Sequence, residues 1–167
     1  TPGAEVTIAT RANDLIAEGW GWFNMGYAYL LNETPSLAVD AFQKSITVRI
    51  KTNASALTIE ARAGLCEAYL GLEDQASAGK EAEQGIQHME KDPTFEGTEE
   101  PLRVYLSLHT YLQETGDPRA PVVLKNALEL MNGQVSKLHS DEARRMFVED
   151  VPWRRALRER ADWAGKN

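Results

Sequence analysis

The strongest constraint on the fold of this chain is a tyrosine–leucine pair that occurs three times at nearly equal spacing. The pairs begin at Tyr29, Tyr69 and Tyr111, so the steps between tyrosines are 40 and 42 residues (69 − 29 and 111 − 69). An alanine follows each tyrosine nine positions later, at Ala38, Ala78 and Ala120. A fixed period in this range is typical of stacked helical hairpins, because one hairpin cannot bury its own apolar face. The sequence therefore predicts an all-α protein built from three helical hairpins.

Residues that start and end helices divide the chain at intervals that agree with this period. The six predicted hairpin helices cover about 8–31, 35–51, 54–71, 74–91, 98–114 and 118–132. Pro35 suits a first helical turn, Thr98 is expected to cap the fifth helix, and Gly116 is expected to end it. The tail is predicted to add two helices, near 141–148 and from Pro152 to about 163. Helices alone account for the chain, since no alternating strand pattern of useful length occurs.

Composition indicates one soluble domain in a reducing compartment. The chain has 167 residues, a net charge of −7 and a single cysteine, Cys66. A nucleic-acid partner is not expected, because binding to a phosphate backbone depends on clustered Lys and Arg. A membrane partner is not expected either, since no apolar run approaches the roughly 18 residues that span a bilayer. One cysteine cannot form an internal disulfide, and we expect a cytoplasmic protein.

No motif of catalysis or of metal binding is present. The three histidines, His88, His109 and His139, are far apart in sequence and have no cysteine at ligand spacing. A glycine-rich phosphate loop and a nucleophile with a matched base are both missing from the sequence. We therefore expect a protein without a metal or a cofactor, and one that is not an enzyme.

The first hairpin resembles the tetratricopeptide repeat in the positions of its large and small residues, which are Trp22, Met25, Gly26, Tyr29, Ala38 and Phe42. The second hairpin matches in part, with Cys66 where glycine is usual, and the third has Leu108 there. The resemblance implies a right-handed α-solenoid. HEAT repeats, which also have periods above about 34 residues, are the structural alternative. The run from Trp22 to Tyr29 favours the tetratricopeptide interpretation.

Two small residues of this pattern have a direct physical explanation. Gly26 and Ala38 are expected where two helices cross at short distance, with Phe42 filling the space beside that contact. Trp22 and Met25 share a helix face with Gly26, at offsets of 0, 3 and 4, and this face is expected to be the core face of the first helix.

The tail carries a second resemblance, over residues 141–155. This segment is similar to the closing segment of long-period repeat arrays in bacterial signalling proteins, among them ATPase-linked and maltose-regulator-like transcriptional activators. The resemblance implies repeats at about 8–53, 54–97 and 98–133, closed by a cap at about 134–167 with a polar outer face. It also implies that the chain is part of a larger regulator.

In tetratricopeptide proteins the first helix of each hairpin lines a concave groove. Carried over position by position, the groove residues of this chain are Trp20, Phe23, Tyr27, Glu60, Glu67, Tyr105 and His109. The aromatic members are candidates for stacking on a peptide or a sugar ring, with the two glutamates as hydrogen-bond acceptors. The alternative is that a preceding repeat or the chain's own C-terminal tail packs on the aromatic patch, because a helix that is apolar nearly all round is usually buried.

Three functions follow from this interpretation. The first is a non-catalytic module that binds a protein, a peptide or the neighbouring domains of its parent protein in the groove. The second is a sensor in which the aromatic groove holds a small ligand such as a saccharide. The third is a structural or oligomerisation arm.

Overall fold

The computed structural model describes the backbone of residues 2–166 and the side chains of residues 11–166. This part of the chain contains eight α-helices and no strand, which confirms the predicted all-α class. The helices are α1 (Pro2–Leu31), α2 (Pro35–Lys51), α3 (Ser55–Gly71), α4 (Gln75–Lys91), α5 (Pro101–Thr115), α6 (Ala120–Val135), α7 (Asp141–Glu149) and α8 (Pro152–Ala164). Over these residues no helix has the length and apolarity needed to cross a lipid bilayer.

The helix boundaries agree with the prediction to within one residue except at three starts and at the end of α6, which is Val135 rather than about 132. α1 begins at Pro2 rather than near residue 8, α5 at Pro101 rather than near Thr98, and α6 at Ala120. Thr98 does not cap α5, so that prediction is wrong. Its hydroxyl donates to the carbonyl of Phe95 at 2.8 Å and stabilises the loop before the helix instead. Gly116 ends α5 as predicted, with a φ of 68° that favours glycine.

The order of packing places alternate helices side by side. Each helix from α1 to α5 packs against the next one in the chain, and contacts also join α1 to α3, α3 to α5 and α5 to α8. α1, α3, α5 and α8 therefore form one row, with α8 seated also against α6 and α7. Leu157 of α8 is fully buried, so α8 belongs to the core of this row.

The first three helices are held together by the ring of Phe42. This ring is fully buried and lies between two glycines, Gly26 on α1 and Gly64 on α3. A Cβ on Gly26 would come within 2.7 Å of the ring, and a Cβ on Gly64 within 2.5 Å. Both distances are too short for real atoms, so any side chain at either glycine would force the helices apart. The expectation that Gly26 is small because helices cross there is confirmed.

A second crossing uses the same combination of small and large residues. A Cβ built on Gly85 of α4 would lie 2.7 Å from Leu108 of α5, which is fully buried. Leu108 belongs to the larger core cluster together with Tyr105, Leu112 and Leu157. This cluster joins α5 to α8 and extends the packing begun at Phe42.

The buried face of α1 differs from the predicted one. Phe23 and Tyr27 are buried in the core cluster around Phe42, whereas Trp22 is only partly buried and Met25 is 43% exposed. The rings of Phe23 and Tyr27 lie 6.1 Å and 5.0 Å from the Phe42 ring, measured between centroids. The side of α1 with Phe23 and Tyr27 thus faces α2 and α3, and the assignment of Trp22 and Met25 to the core is wrong.

The close packing at Phe42 can be tested by comparing alanine substitutions at a glycine that touches this ring, Gly64, and at one that touches nothing, Gly21. Gly64→Ala should be less stable than Gly21→Ala by about 1–3 kcal/mol, because the Phe42 ring is confined by glycines on both sides and cannot move away. Gly21 has no atom within 4 Å of a built Cβ, so both variants share the helix-propensity gain of about 1 kcal/mol and only one overpacks. The measurement is urea denaturation followed by circular dichroism. Equal stabilities of the two variants would contradict this packing.

Candidate binding surface

The structure buries most of the side chains that the sequence predicts for a groove. Phe23, Tyr27, Glu60, Tyr105 and His109 are buried, whereas Trp20 and Glu67 are partly buried.

Two groups emerge from this set. Trp20, Phe23, Tyr27, Glu60 and Glu67 lie near one another, as the aromatic contacts of α1 and the influence of both carboxylates on the Tyr27 hydroxyl indicate. Tyr105 and His109 lie elsewhere. The Tyr105 hydroxyl donates to the carbonyl of Pro93 at 2.7 Å, which turns it toward the loop after α4.

The aromatic side chains of α1 pack edge to face and are covered by an arginine. Ring centroids are 5.6 Å apart for Trp20 and Phe23, and 5.1 Å apart for Phe23 and Tyr27. The guanidinium of Arg49, on α2, lies 4.6 Å from the Trp20 ring and 4.4 Å from the Phe23 ring. Such cation–π contacts stabilise by about 0.5–2 kcal/mol each, more when they are desolvated. These rings therefore serve packing first.

A second arginine connects the first helix of the row to the last. The guanidinium carbon of Arg103, on α5, lies 3.2 Å from the ring centroid of Tyr27 on α1 and 4.7 Å from that of Trp153 on α8. Arg103 thus sits between two aromatic rings that are far apart in sequence. We call the resulting surface the arginine–aromatic layer, formed by Trp20, Phe23, Tyr27, Arg49, Arg103 and Trp153.

The two predicted acceptors, Glu60 and Glu67, already accept hydrogen bonds from α5 and from the residue just before it. Glu60 Oε1 accepts from the backbone N–H of Glu100 at 2.8 Å, and Glu67 accepts from the hydroxyl of Ser107. Both bonds join residues 40 apart, a separation equal to the first step of the repeat. Burial raises the pKa of each carboxyl above its ordinary value. The carboxyls therefore hold α3 to α5 and are only partly available to a ligand.

Arg49 and Glu60 also carry buried atoms without a hydrogen bond among the described groups. These atoms are Nη2 of Arg49 and Oε2 of Glu60. Burial lowers the pKa of Arg49 to about 10, and the charge of Glu60 opposes this shift. The charge of Glu60 thus partly compensates that of Arg49 at a distance longer than an ion pair.

The C-terminal helix is fixed to the row by Glu100. Its Oε2 accepts from Trp153 Nε1 at 3.0 Å, and its Oε1 accepts from Arg154 Nη2 at 3.0 Å. The Arg154 guanidinium also lies 4.0 Å from the Phe147 ring. Trp153 of the tail thus approaches the aromatic patch of α1 through Arg103, which lies against both its ring and that of Tyr27.

His109 lies further along α5, against a different arginine. Nη1 of Arg160, on α8, is 2.8 Å from His109 Nδ1. A guanidinium can only donate, so Nδ1 accepts and the neutral ring carries its proton on Nε2. Burial, together with the smaller effect of the Arg160 charge, lowers the pKa of His109 to about 4. The ring is therefore neutral at pH 7.

Sequence reasoning missed Arg49, Glu100, Arg103, Trp153 and Arg160. Glu100 could have been found from the repeat period. Equivalent helices of neighbouring repeats pack side by side, so Glu60 and Glu67 are expected to contact residues about 40 positions later in the chain. No comparable signal exists for Trp153 and Arg160. Both residues lie on α8, and the position of α8 against α5 depends on the turns before and after α7.

Comparisons with known proteins assign neither a family nor a function to this chain. Neither a protein family nor a curated protein nor a solved structure matches the chain.

Removing the Glu100 carboxylate tests the attachment of α8. Glu100→Ala should lower the free energy of unfolding by about 1–3 kcal/mol, because it leaves the partly buried Arg154 and the Trp153 indole N–H without their acceptor. Glu99→Ala is the matched control, since Glu99 is exposed. Urea denaturation followed by tryptophan fluorescence measures both. The attachment is disproved if the two variants are equally stable.

The buried His109 predicts a pH dependence of stability. Its pKa is 6.5 as an ordinary histidine and about 4 in the fold, so the unfolded chain binds the proton first as pH falls. Relative to His109→Gln, which keeps an acceptor for Arg160, the wild type should lose stability between pH 6.5 and 4, by roughly 3 kcal/mol at most.

Glu60 and Glu67 have raised pKa values, and their contribution has the opposite sign. This contribution is the same in the wild type and in His109→Gln, so it cancels when their free energies of unfolding are subtracted. Denaturation curves at several pH values supply the measurement, and a constant difference across the window would show that His109 is not buried as described.

Proposed function

We propose that this chain is a non-catalytic interaction module of the tetratricopeptide type within a larger cytoplasmic regulator. Its three hairpins would form a right-handed α-solenoid, and residues from about 134 onward would close it. The module would bind a protein or peptide, or a neighbouring domain of the same parent protein. The observation that carries the proposal is the order of helix neighbours, in which α1, α3, α5 and α8 form one row.

This order of neighbours is typical of repeat proteins. Each unit of such a protein contacts only adjacent units, and its function rests on the extended surface that the row presents. α8 occupies the position next to α5 that the first helix of another hairpin would take. A row of this kind offers shape and side-chain chemistry to a partner and does not require a catalytic group.

The partner surface would be the edge of the arginine–aromatic layer that remains accessible. Trp20, Arg103 and Trp153 of the layer are partly exposed along this edge, and the partly exposed Glu67 lies near Arg103. They present aromatic ring edges beside one carboxylate and one guanidinium. The net charge of −7 favours a basic partner segment, because complementary charge raises the association rate and excludes acidic competitors.

The other two functions have less support from the geometry. A saccharide platform needs open aromatic rings, whereas Phe23 and Tyr27 are each only 7% exposed. An oligomerisation arm predicts a particle mass that is a multiple of 18.6 kDa. Sedimentation at micromolar concentration separates this third function from the other two.

Two tryptophans on α1 provide a test with a matched control. Trp20 lies on the layer, whereas Trp22 lies on another face of the same helix, where Lys44 stacks on it at 4.4 Å. Both are partly buried. Trp20→Ala should weaken binding of a captured partner at least about tenfold, or 1.4 kcal/mol, whereas Trp22→Ala should leave it unchanged.

The partner is identified by mass spectrometry after capture on the wild-type chain, and its affinity for each variant is then measured with purified components. Circular dichroism and thermal melting confirm that both variants fold. Equal affinity of all three proteins for the captured partner would refute this surface.

A further inference from the structure

A cavity of about 850 Å³ lies where α8 approaches α5 and α6. It is separate from the arginine–aromatic layer, since its lining includes none of the side chains of that layer. Sites that bind small molecules in proteins are clefts of roughly 300–1,000 Å³, mostly apolar and with few polar groups. The size of this cavity is within that range.

Aliphatic side chains from α6 and α8 form one part of the cavity wall, beside polar residues of α5, α6 and α8. α6 contributes Leu124 and Leu128, and α8 contributes Ala156, Ala161 and Ala164. The small alanine side chains of α8 leave space opposite the leucines of α6. An apolar ligand body would be favoured there, because it removes apolar surface from water on both walls.

Among the polar residues that line the cavity, Arg160 is a partly buried cation on α8. It is held by His109, a buried neutral ring that accepts one of its hydrogen bonds and contributes no charge. None of the ion pairs among the described residues includes Arg160. Burial lowers the pKa of Arg160, and the more distant Glu114 opposes this shift. The guanidinium thus faces a cavity with donors to spare and no carboxylate in direct contact.

The other charged residues around the cavity do not neutralise Arg160. Lys125 and Glu129 lie 3.8 Å apart and pair with each other on α6. Glu159 is exposed to solvent at the rim. A partly buried cation without a direct counter-ion is unfavourable, and a bound anion relieves this cost through charge-assisted hydrogen bonds.

We propose that this cavity binds a small carboxylate with an apolar body, of the kind represented by a medium-chain fatty acid. The carboxylate accepts hydrogen bonds from Arg160, and the aliphatic chain lies between the leucines of α6 and the alanines of α8. This site does not depend on the function proposed above, because the layer and the cavity use different residues.

The test is calorimetric titration of the full chain with decanoate, and with decanol as the uncharged ligand of the same length. Decanoate should bind saturably with one molecule per chain and more tightly than decanol. Arg160→Met should weaken decanoate binding about tenfold and leave decanol unchanged, since only the charged contact is lost. Arg155→Met is the matched control on α8, because Arg155 donates to the carbonyl of Glu149 and does not line the cavity.

Equal binding of decanoate and decanol to the wild type would overturn the proposal, since the cavity would then have no anion site. Absence of saturable decanoate binding would overturn it as well. The comparison of the two ligands on the wild type decides the matter even if Arg160→Met does not fold. An equal loss in Arg155→Met and Arg160→Met would show that the charge of α8 as a whole, and not Arg160, attracts the carboxylate.

Discussion

The ring of Phe42, held between Gly26 and Gly64, is the contact on which the arrangement of the first three helices depends. It fixes how closely α1 and α3 approach α2, because neither glycine leaves room for even one more carbon. That approach brings Phe23 and Tyr27 against the same ring. The side of α3 turned to α5 then presents Glu60 and Glu67 to their donors. Close packing at one ring thus determines which polar groups meet further along the row.

The interior of the row is unusual for the number of charges it contains. Arg49 and Glu60 are 3% and 2% exposed, and Arg103 lies between two aromatic rings. Burying such groups is unfavourable unless ring faces, hydrogen bonds or opposite charges replace the lost water. Here the aromatic faces take much of that role, which explains why the rings of α1 are engaged by arginines. Under the proposed function, a partner would therefore meet the edges of this layer and not an empty groove.

The sequence predicted the helices well because their signals are local. The period of the tyrosines and the punctuation by Pro35 and Gly116 located most helices to within a few residues. The close crossing at Gly26 was also predictable, since a glycine inside an apolar helix indicates near contact. The repeat assignment itself stays a proposal.

The candidate site was harder to predict for two physical reasons. α1 is apolar nearly all round, so helical periodicity could not distinguish its core face, with Phe23 and Tyr27, from the face with Trp22 and Met25. The positions of Trp153 and Arg160 depend on how α7 and the adjoining turns return α8 to the row. No local pattern encodes contacts across some fifty residues, such as the 53-residue separation of Trp153 and Glu100.

We infer that α1, α3, α5 and α8 form one cooperative unit around the arginine–aromatic layer. Native-state hydrogen exchange measured by NMR tests it most directly, because it gives an opening free energy for each amide. The account predicts that the amides in the middle of α8, around Leu157, open with the same free energy as those of α3 and α5. Exchange of α8 at a much lower free energy, while α3 and α5 stay protected, would contradict the account and would make α8 a separable appendage.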